Sequence, residues 1–280
     1  MKNFKNKVAA ITGAGSGMGR ELAIALAKQG CHLALSDINQ TGLSETVRIV
    51  KGLNKGINIT SQTLDVSNRT AVFDWASQVE KDHSKVNLIF NNAGIAFGST
   101  IEGFESKDFQ RVMDINFGGV LNGTQAFLPY LKKSGEGHII NTSSVFGIIA
   151  VPGTSAYNAS KFAVRGFTET LRQELDYTRC GVSATSVHPG GIKTAIATSS
   201  KSNDSIKVLG LDPSTAGDKM TKQFITTAEK AAYVILKGVK KNSRRVLIGP
   251  DAVFLDLIQR IFPGSYSGFL GKILLSRMAN

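Results

Sequence analysis

Tyr157 and Lys161 stand four residues apart in a segment of helical periodicity, so their side chains share one face. A free tyrosine hydroxyl has a pKa of about 10, too high for easy proton exchange at neutral pH. An ammonium beside it stabilises the phenolate, lowers that value and makes the phenol a usable general acid or base. Such a pair is common and by itself means nothing. Ser144 changes its meaning: it lies just after the β-branched run 139–142, where a strand ends. A hydroxyl there could hydrogen-bond a substrate carbonyl.

A second cluster lies near the start of the chain. Thr12-Gly13-Ala14-Gly15-Ser16-Gly17-Met18-Gly19 falls between a strand pattern at 8–12 and a helix pattern at 18–29. Missing side chains let the backbone turn tightly and approach a pyrophosphate. The helix N-terminus adds free N–H groups and a positive dipole end. The spacing, Gly13-x3-Gly17-x-Gly19, departs from the common G-x-G-x-x-G fingerprint. A tight strand-to-helix connection would also use such glycines; the place after the first strand favours a nucleotide. Asp37 ends the second strand, about 20 residues beyond the glycines. A carboxylate there can accept hydrogen bonds from both ribose hydroxyls of adenosine and would repel a 2′-phosphate. No Arg or Lys stands in the turn before Gly17 or directly after Asp37. Both facts favour NAD over NADP. Taken alone, Asp37 reads first as an acidic turn residue.

These residues need a scaffold, and the patterning supplies one. Strands are expected at 8–12, 32–36, 59–64, 88–91, 139–142 and 182–187, alternating with helices at 18–29, 43–53, 71–81, 107–131 and 156–176. In the first helix Leu22, Ala23, Leu26 and Ala27 share a face. The rhythm predicts an α/β fold: a single doubly wound Rossmann-type domain with a parallel sheet, helices on both faces and right-handed crossovers. No repeat, linker or shift in composition marks a second domain, so 1–250 is expected as one domain and 251–280 as its apolar C-terminal extension. Residues 190–227 lack a strand pattern and are rich in Ser, Thr, Lys and Asp; they are expected to form an irregular substrate loop.

Composition narrows the function classes. With 42% hydrophobic and 19% charged residues over 280 positions, the chain is neither disordered nor fibrous. No apolar run of about 18 residues exists, which excludes a transmembrane helix, and the short N-terminal apolar run is no secretion signal. Cys31 and Cys180 are too few for a disulfide framework or a metal cluster, and His32, His83 and His138 show no metal spacing. The expectation is a cytoplasmic protein without metal. His188 and Trp75 are expected to serve packing. The net charge of +12 is first a solvated basic surface, with an anionic ligand, a membrane surface or nucleic acid as sharper alternatives. The densest basic cluster, Lys240-Lys241 with Arg244-Arg245, has no interleaved aromatic residues, so nucleic acid is not expected.

Together the motifs resemble one family. The glycine turn, Asn91-Asn92-Ala93-Gly94, Asn116, Ser143-Ser144, Tyr157-x3-Lys161 and Pro189-Gly190-x3-Thr194 stand in the order and spacing of the short-chain dehydrogenase/reductase family. The resemblance covers residues 5–250. It implies that Tyr157 transfers the proton, that Lys161 lowers its pKa and holds the nicotinamide ribose, and that Ser144, rather than Ser143, orients the substrate oxygen. It implies that Asn116 holds a water linking Lys161 to solvent. Gly13, Ser16, Gly17, Met18 and Gly19 would surround the pyrophosphate, and Asp37 the adenosine ribose. Asp65 and Val66 would bind the adenine; Asn92, Ala93 and Gly94 would line the cofactor, with Asn91 structural. Pro189, Gly190, Ile192 and Thr194 would contact the nicotinamide amide and the phosphates.

The expected activity is NAD-dependent interconversion of a secondary alcohol and a ketone or aldehyde, by hydride transfer at nicotinamide C4. The alternative is a non-catalytic NAD(H)-binding redox sensor or scaffold, against which the intact Ser-Tyr-Lys-Asn set argues. Resemblance also implies a homodimer or homotetramer formed through the helices at 107–131 and 156–176. The tail carries Val253, Phe254, Leu255, Leu257, Ile258, Ile261 and Phe262, too many large apolar side chains to leave in water. Beyond Pro263-Gly264 a second apolar piece follows at 269–275. Its own substrate pocket or a neighbouring subunit is the favoured cover, implying a bulky apolar alcohol. A membrane surface, approached through Arg260, Lys272 and Arg277, is the alternative.

Overall fold

The computed structural model describes residues 1–194, 196 and 200–279. Seven parallel strands form the main sheet: β1 (Val8–Thr12), β2 (His32–Asp37), β3 (Ile59–Thr63), β4 (Leu88–Asn91), β6 (Gly137–Thr142), β7 (Val182–Pro189) and β11 (Arg245–Ile248). Their order is β11-β7-β6-β4-β1-β2-β3. The chain therefore runs outward from β1 in two directions, first to β2 and β3, then through β4 to β11. Two small pairs lie outside the main sheet: β5 (Phe97–Gly98) with β9 (Lys201–Ser202), and β8 (Ile192–Lys193) with β10 (Thr226–Thr227).

The helices are α1 (Gly17–Lys28), α2 (Gln40–Leu53), α3 (Arg69–His83), α4 (Ser106–Met113), α5 (Gly119–Lys133), α6 (Ser155–Thr178), α7 (Ala216–Lys222), α8 (Ala228–Lys240), α9 (Pro250–Ile261) and α10 (Tyr266–Ala279). Period-two alternation in β1 divides its side chains between two cores. Ala9 and Ile11 join Leu22 and Leu26 of α1 and Ile235 and Val239 of α8 on one side. Val8 and Ala10 join Trp75 of α3, Phe127 of α5 and Leu171 of α6 on the other. Trp75 is indeed a packing residue, its ring set edge-on to Phe127 with centroids 5.1 Å apart. Cys31 is buried before β2, which pushes its thiol up to about 12 and leaves it inert.

Three departures from the patterning have physical causes. Strand β11 escaped the sequence pattern, because a four-residue edge strand following Lys-Lys-Asn-Ser-Arg carries almost no periodic signal; helix α8 is a further addition to the expected elements, although its buried Ala231, Ala232, Ile235, Leu236 and Val239 repeat at helical spacing. The helix expected over 107–131 is interrupted by a π-helical turn at Asp114–Gly118, and its second part accommodates Pro129. The segment 190–227 is not wholly irregular: it holds β8, β9, a 3₁₀ turn at Asp204–Leu209, α7 and β10, all too short to show a period. Residues 195 and 197–199 of that segment, the side chain of Arg277 and Asn280 lie outside the described residues. Among the described residues no helix is long and apolar enough to cross a membrane.

The tail returns to the body. Ala252 and Leu255 of α9 and Leu270 of α10 bury themselves against Val145, Ile148, Ile149 and Val151.

Candidate active site

The chain reverses direction around β1, so a crevice opens at the C-terminal ends of β1 and β4, the usual place for a ligand in an open parallel sheet. The glycine turn lines it. Gly13 and Gly17 have φ of +66° and +50°, and a Cβ at Gly19 would collide with the Gly13 carbonyl oxygen. Helix α1 begins at Gly17, and its N-cap residue Ser16 makes no side-chain cap bond, so first-turn N–H groups remain available to an anion. Thr12 Oγ1 receives the backbone N–H of Asn92 (3.0 Å) and of Ala93 (3.1 Å), tying the end of β4 to the turn. Asn92 donates its amide to the Thr12 carbonyl at 3.1 Å, and its own Oδ1 is buried without a partner.

Asp37 reaches over this turn from the end of β2. Its Oδ2 accepts from Gly15 N and its Oδ1 from Asn39 N, both at 2.8 Å. Arg20, which the sequence reading passed over, lies beside it. Its guanidinium donates to the Gly15 carbonyl (2.6 Å), Thr46 Oγ1 (3.0 Å) and Glu45 Oε2 (2.7 Å), so this cation is already committed. Asp65 follows β3 and accepts from the N–H and hydroxyl of Ser67, while the Val66 carbonyl accepts from Asn122 at 3.0 Å. A bare helix N-terminus, a carboxylate at the end of β2 and a cradle that a Cβ at Gly15 or Gly19 would fill together fit a dinucleotide.

The other half of the site hangs on β6 and α6. Lys161 Nζ is buried and donates to the Thr142 carbonyl at 2.9 Å. Burial pushes its pKa down to about 8. Ser143 is occupied structurally, donating to the Lys161 carbonyl at 2.7 Å. Ser144 Oγ accepts from Phe146 N at 3.1 Å and is hydrogen-bonded to the Tyr157 phenol. Burial raises the Tyr157 pKa, and the bond from Ser144 pulls it partly back. The expected lowering by Lys161 is not found; the downward pull comes from Ser144. The Lys161 ammonium faces the Thr142 carbonyl and lies 5.5 Å from the centre of the Tyr157 ring. Asn116 sits in the π-turn behind this group. Its Oδ1 accepts from Ile95 N (2.8 Å), and its amide donates to Ile95 O (2.9 Å) and Ser160 Oγ (3.0 Å).

His188, expected only to pack, positions Ser144. Its buried ring bonds the Ser144 carbonyl through Nδ1 (3.0 Å) and Ser186 Oγ through Nε2 (2.9 Å). A carbonyl only accepts, so the network assigns the proton to Nδ1. No sequence period could reveal this, since the partner lies 44 residues away.

A cavity of about 540 Å³ joins the two halves. Met18, Asn92, Gly94, Ser144, Tyr157, Lys161, Pro189, Gly190, Ile192 and Thr194 all open onto it. Thr194 packs against Gly17, whose Cβ would lie 3.1 Å from it. Gly13, Ser16, Gly19, Asp37, Asp65, Val66 and Ala93 extend the same edge of the sheet, while Asn116 stands behind the lining.

The family description "short chain dehydrogenase" matches residues 7–205. The chain belongs to that family. It is an oxidoreductase. It is 47% identical over 267 residues to SadH, a Mycobacterium tuberculosis protein named as an oxidoreductase, covering 95% of this chain and 94% of that one. Human estradiol 17-beta-dehydrogenase 11 is 30% identical over 272 residues, covering 97% of this chain and 84% of the relative. Among solved structures, a short-chain dehydrogenase/reductase from Burkholderia phymatum in complex with NAD superposes with a TM-score of 0.86 at 28% identity, over 94% of this chain and 96% of that chain.

Burial holds His188 down to about 4 and His138, on β6, down to about 3. Unfolding restores both to the ordinary value near 6.5. The unfolded chain therefore takes up protons first, and the stability these rings contribute is complete above pH 6.5 and lost as pH falls towards 4. Urea unfolding at stepped pH should show the free energy declining below pH 6.5, by up to about 1.4 kcal/mol per pH unit for each ring. A flat profile between pH 7 and 5 contradicts this assignment.

Proposed function

We propose that this oxidoreductase interconverts a secondary alcohol and a ketone or aldehyde with NAD, using Tyr157 as general acid and base. The observation that carries the proposal is a single cavity lined by Ser144, Tyr157 and Lys161 together with Met18, Asn92 and Gly94. The bound nicotinamide would supply the hydride acceptor or donor. Gly13, Ser16, Gly17, Met18 and Gly19 would hold its pyrophosphate and Asp37 its adenosine ribose. Asp65 and Val66 would flank the adenine, and Asn92, Ala93, Gly94, Pro189, Gly190, Ile192 and Thr194 the nicotinamide end.

In oxidation Tyr157 Oη accepts the alcohol proton; in reduction it returns that proton to the carbonyl oxygen. Ser144 Oγ accepts from Phe146 N, and its O–H, turned to the Tyr157 phenol here, would swing to the substrate oxygen when substrate binds. Lys161 supplies positive charge beside the phenol. Burial raises the Tyr157 pKa, and the positive charge of Lys161 would have to offset that cost for Tyr157 to accept a proton. Asn116, its side chain engaged with Ile95 and Ser160, would hold a water that links Lys161 to solvent. The walls around this centre are apolar, built from Phe97, Val151, Leu211, Met220, Leu255 and Leu270, which suits a bulky apolar alcohol.

Tyr157→Phe should lower kcat by roughly 10²–10⁴-fold while NADH binding survives. Near-normal turnover in the variant would sink the assignment of Tyr157, whereas an unmodified protein that binds NADH and turns over no alcohol or ketone would favour the sensor or scaffold role. NAD should be preferred to NADP, because Asp37 would repel a 2′-phosphate and Arg20 is paired with Glu45. Asp37→Ala should narrow that preference; better turnover with NADP in the unmodified protein would reverse the reading.

A homo-oligomer is the third element of the proposal. Besides the helix pair expected at 107–131 and 156–176, the outward sides of α6 and α9 leave Phe162, Tyr177, Val253 and Leu257 exposed. Symmetric association would cover such residues. Light scattering at micromolar concentration should report a dimer or tetramer. A monomer mass together with co-sedimentation on anionic vesicles would instead assign the tail's outer face to a membrane surface.

A further inference from the structure

We infer that Asp251, on the second residue of α9, is a positioning residue that holds the loop after β7 in place and thereby sets the nicotinamide end of the site. The inference rests on the proposed cofactor role of that loop, and the clamp itself is visible in the fold.

Strand β7 ends on the bond from Gly190 N to the Ile248 carbonyl (2.9 Å), its last link to β11. At Ile192 the chain is caught again, pairing with Thr226 in the β8–β10 ladder. Gly191 lies between these anchors, outside both ladders. Its N–H is taken by Asp251 Oδ2 at 2.6 Å, sixty residues away in sequence. A charged acceptor makes this a short, strong bond. It stands in for the sheet bond that the loop gives up where it turns over the cavity, and Asp251 itself lines that cavity.

The surroundings are shaped for this carboxylate. A Cβ at Gly190 would collide with Asp251 Oδ2, and a Cβ at Gly249 would collide with Oδ1. Gly249 also has a φ of +97°, a conformation closed to most side chains. Oδ1 is buried without a partner, a cost that the N-terminal end of α9 partly offsets. Glycines on both sides and an unpartnered oxygen are a poor arrangement for a residue that merely caps a helix. They make sense where the Gly191 bond has to be kept. The same helix places Phe254 and Leu255 in the wall of the cavity, so α9 fixes the cofactor loop and the substrate wall as one rigid piece.

The test compares Asp251→Ala with Asp251→Asn, which keeps an acceptor oxygen but loses the charge. Three quantities are read: NADH affinity by fluorescence titration, amide exchange in the peptide spanning 189–194, and thermal midpoint. Asp251→Ala should weaken NADH binding about tenfold, the scale of one charge-assisted hydrogen bond, and speed exchange at Gly191. Asp251→Asn should stay within about threefold of the unmodified protein, because a hydrogen-bond acceptor is what the clamp needs. Where Asp251→Ala does not fold, Asp251→Ser takes its place, its hydroxyl too short to reach Gly191. Unchanged NADH affinity in the alanine variant overturns the inference, and so does an asparagine variant as weak as alanine. An unmodified protein that binds no NADH refutes the cofactor reading instead. In that case unchanged exchange at Gly191 in the alanine variant would refute the clamp separately.

Discussion

The buried ammonium of Lys161 is the contact around which this structure is organised. It reaches from α6 to the carbonyl of Thr142 at the end of β6, and so joins the longest helix to the centre of the sheet at the mouth of the cavity. A charge taken out of water must be surrounded by acceptors and held still. The Thr142 carbonyl is the acceptor, and the neighbours hold the side chain still by close approach. Gly147 presses on the Lys161 backbone, Ser143 caps the Lys161 carbonyl, and Gly94 leaves room where a Cβ would come within 3.4 Å of Nζ. The π-turn that carries Asn116 closes the rear by bonding both sides of Ile95. Once Lys161 is placed, Tyr157 and Ser144 follow, one from the preceding helical turn and the other from the strand end it caps.

The other half of the crevice is defined by the absence of side chains. Gly13, Gly15 and Gly19 bring the backbone of the first turn against β4 and Asp37 at distances that a Cβ would forbid. Thr12 then binds two successive N–H groups after β4, so the turn and the strand end move as one unit. A preorganised anion site of this kind requires no side-chain charge, which is consistent with Arg20 being committed to Glu45 rather than facing the crevice.

Above this floor the pocket is closed by parts of the chain far apart in sequence. Asn203 and Ser205 bond the loop around Ser99 and Gly103, which fixes the segment 200–206 to the chain after β4. The tail adds α9 and α10 from the opposite side. Their inward residues, Leu255 and Leu270, join the apolar wall, while Phe254 and Ile273 both line the cavity and remain partly open to solvent.

Local pattern by itself determined the α/β class, six of the main strands, the sites of the long helices, and the glycine turn with Asp37. Each of these is written in a period of two or 3.6 or in a turn that only glycine can make, and such signals are complete within a few residues. The pairing of Tyr157 with Lys161 was legible for the same reason, since helical spacing alone puts them on one face. Tertiary structure decided the rest. β11 is a strand because β7 offers it an edge, and the tail folds inward because Val145 and Ile148 await it. His188 meets Ser144, and Asp251 meets Gly191, only after the sheet has brought distant segments together. The direction of the Tyr157 pKa shift belongs to this second group. The sequence shows which ammonium lies nearby, but burial depends on everything packed around the phenol, and here burial is the larger effect.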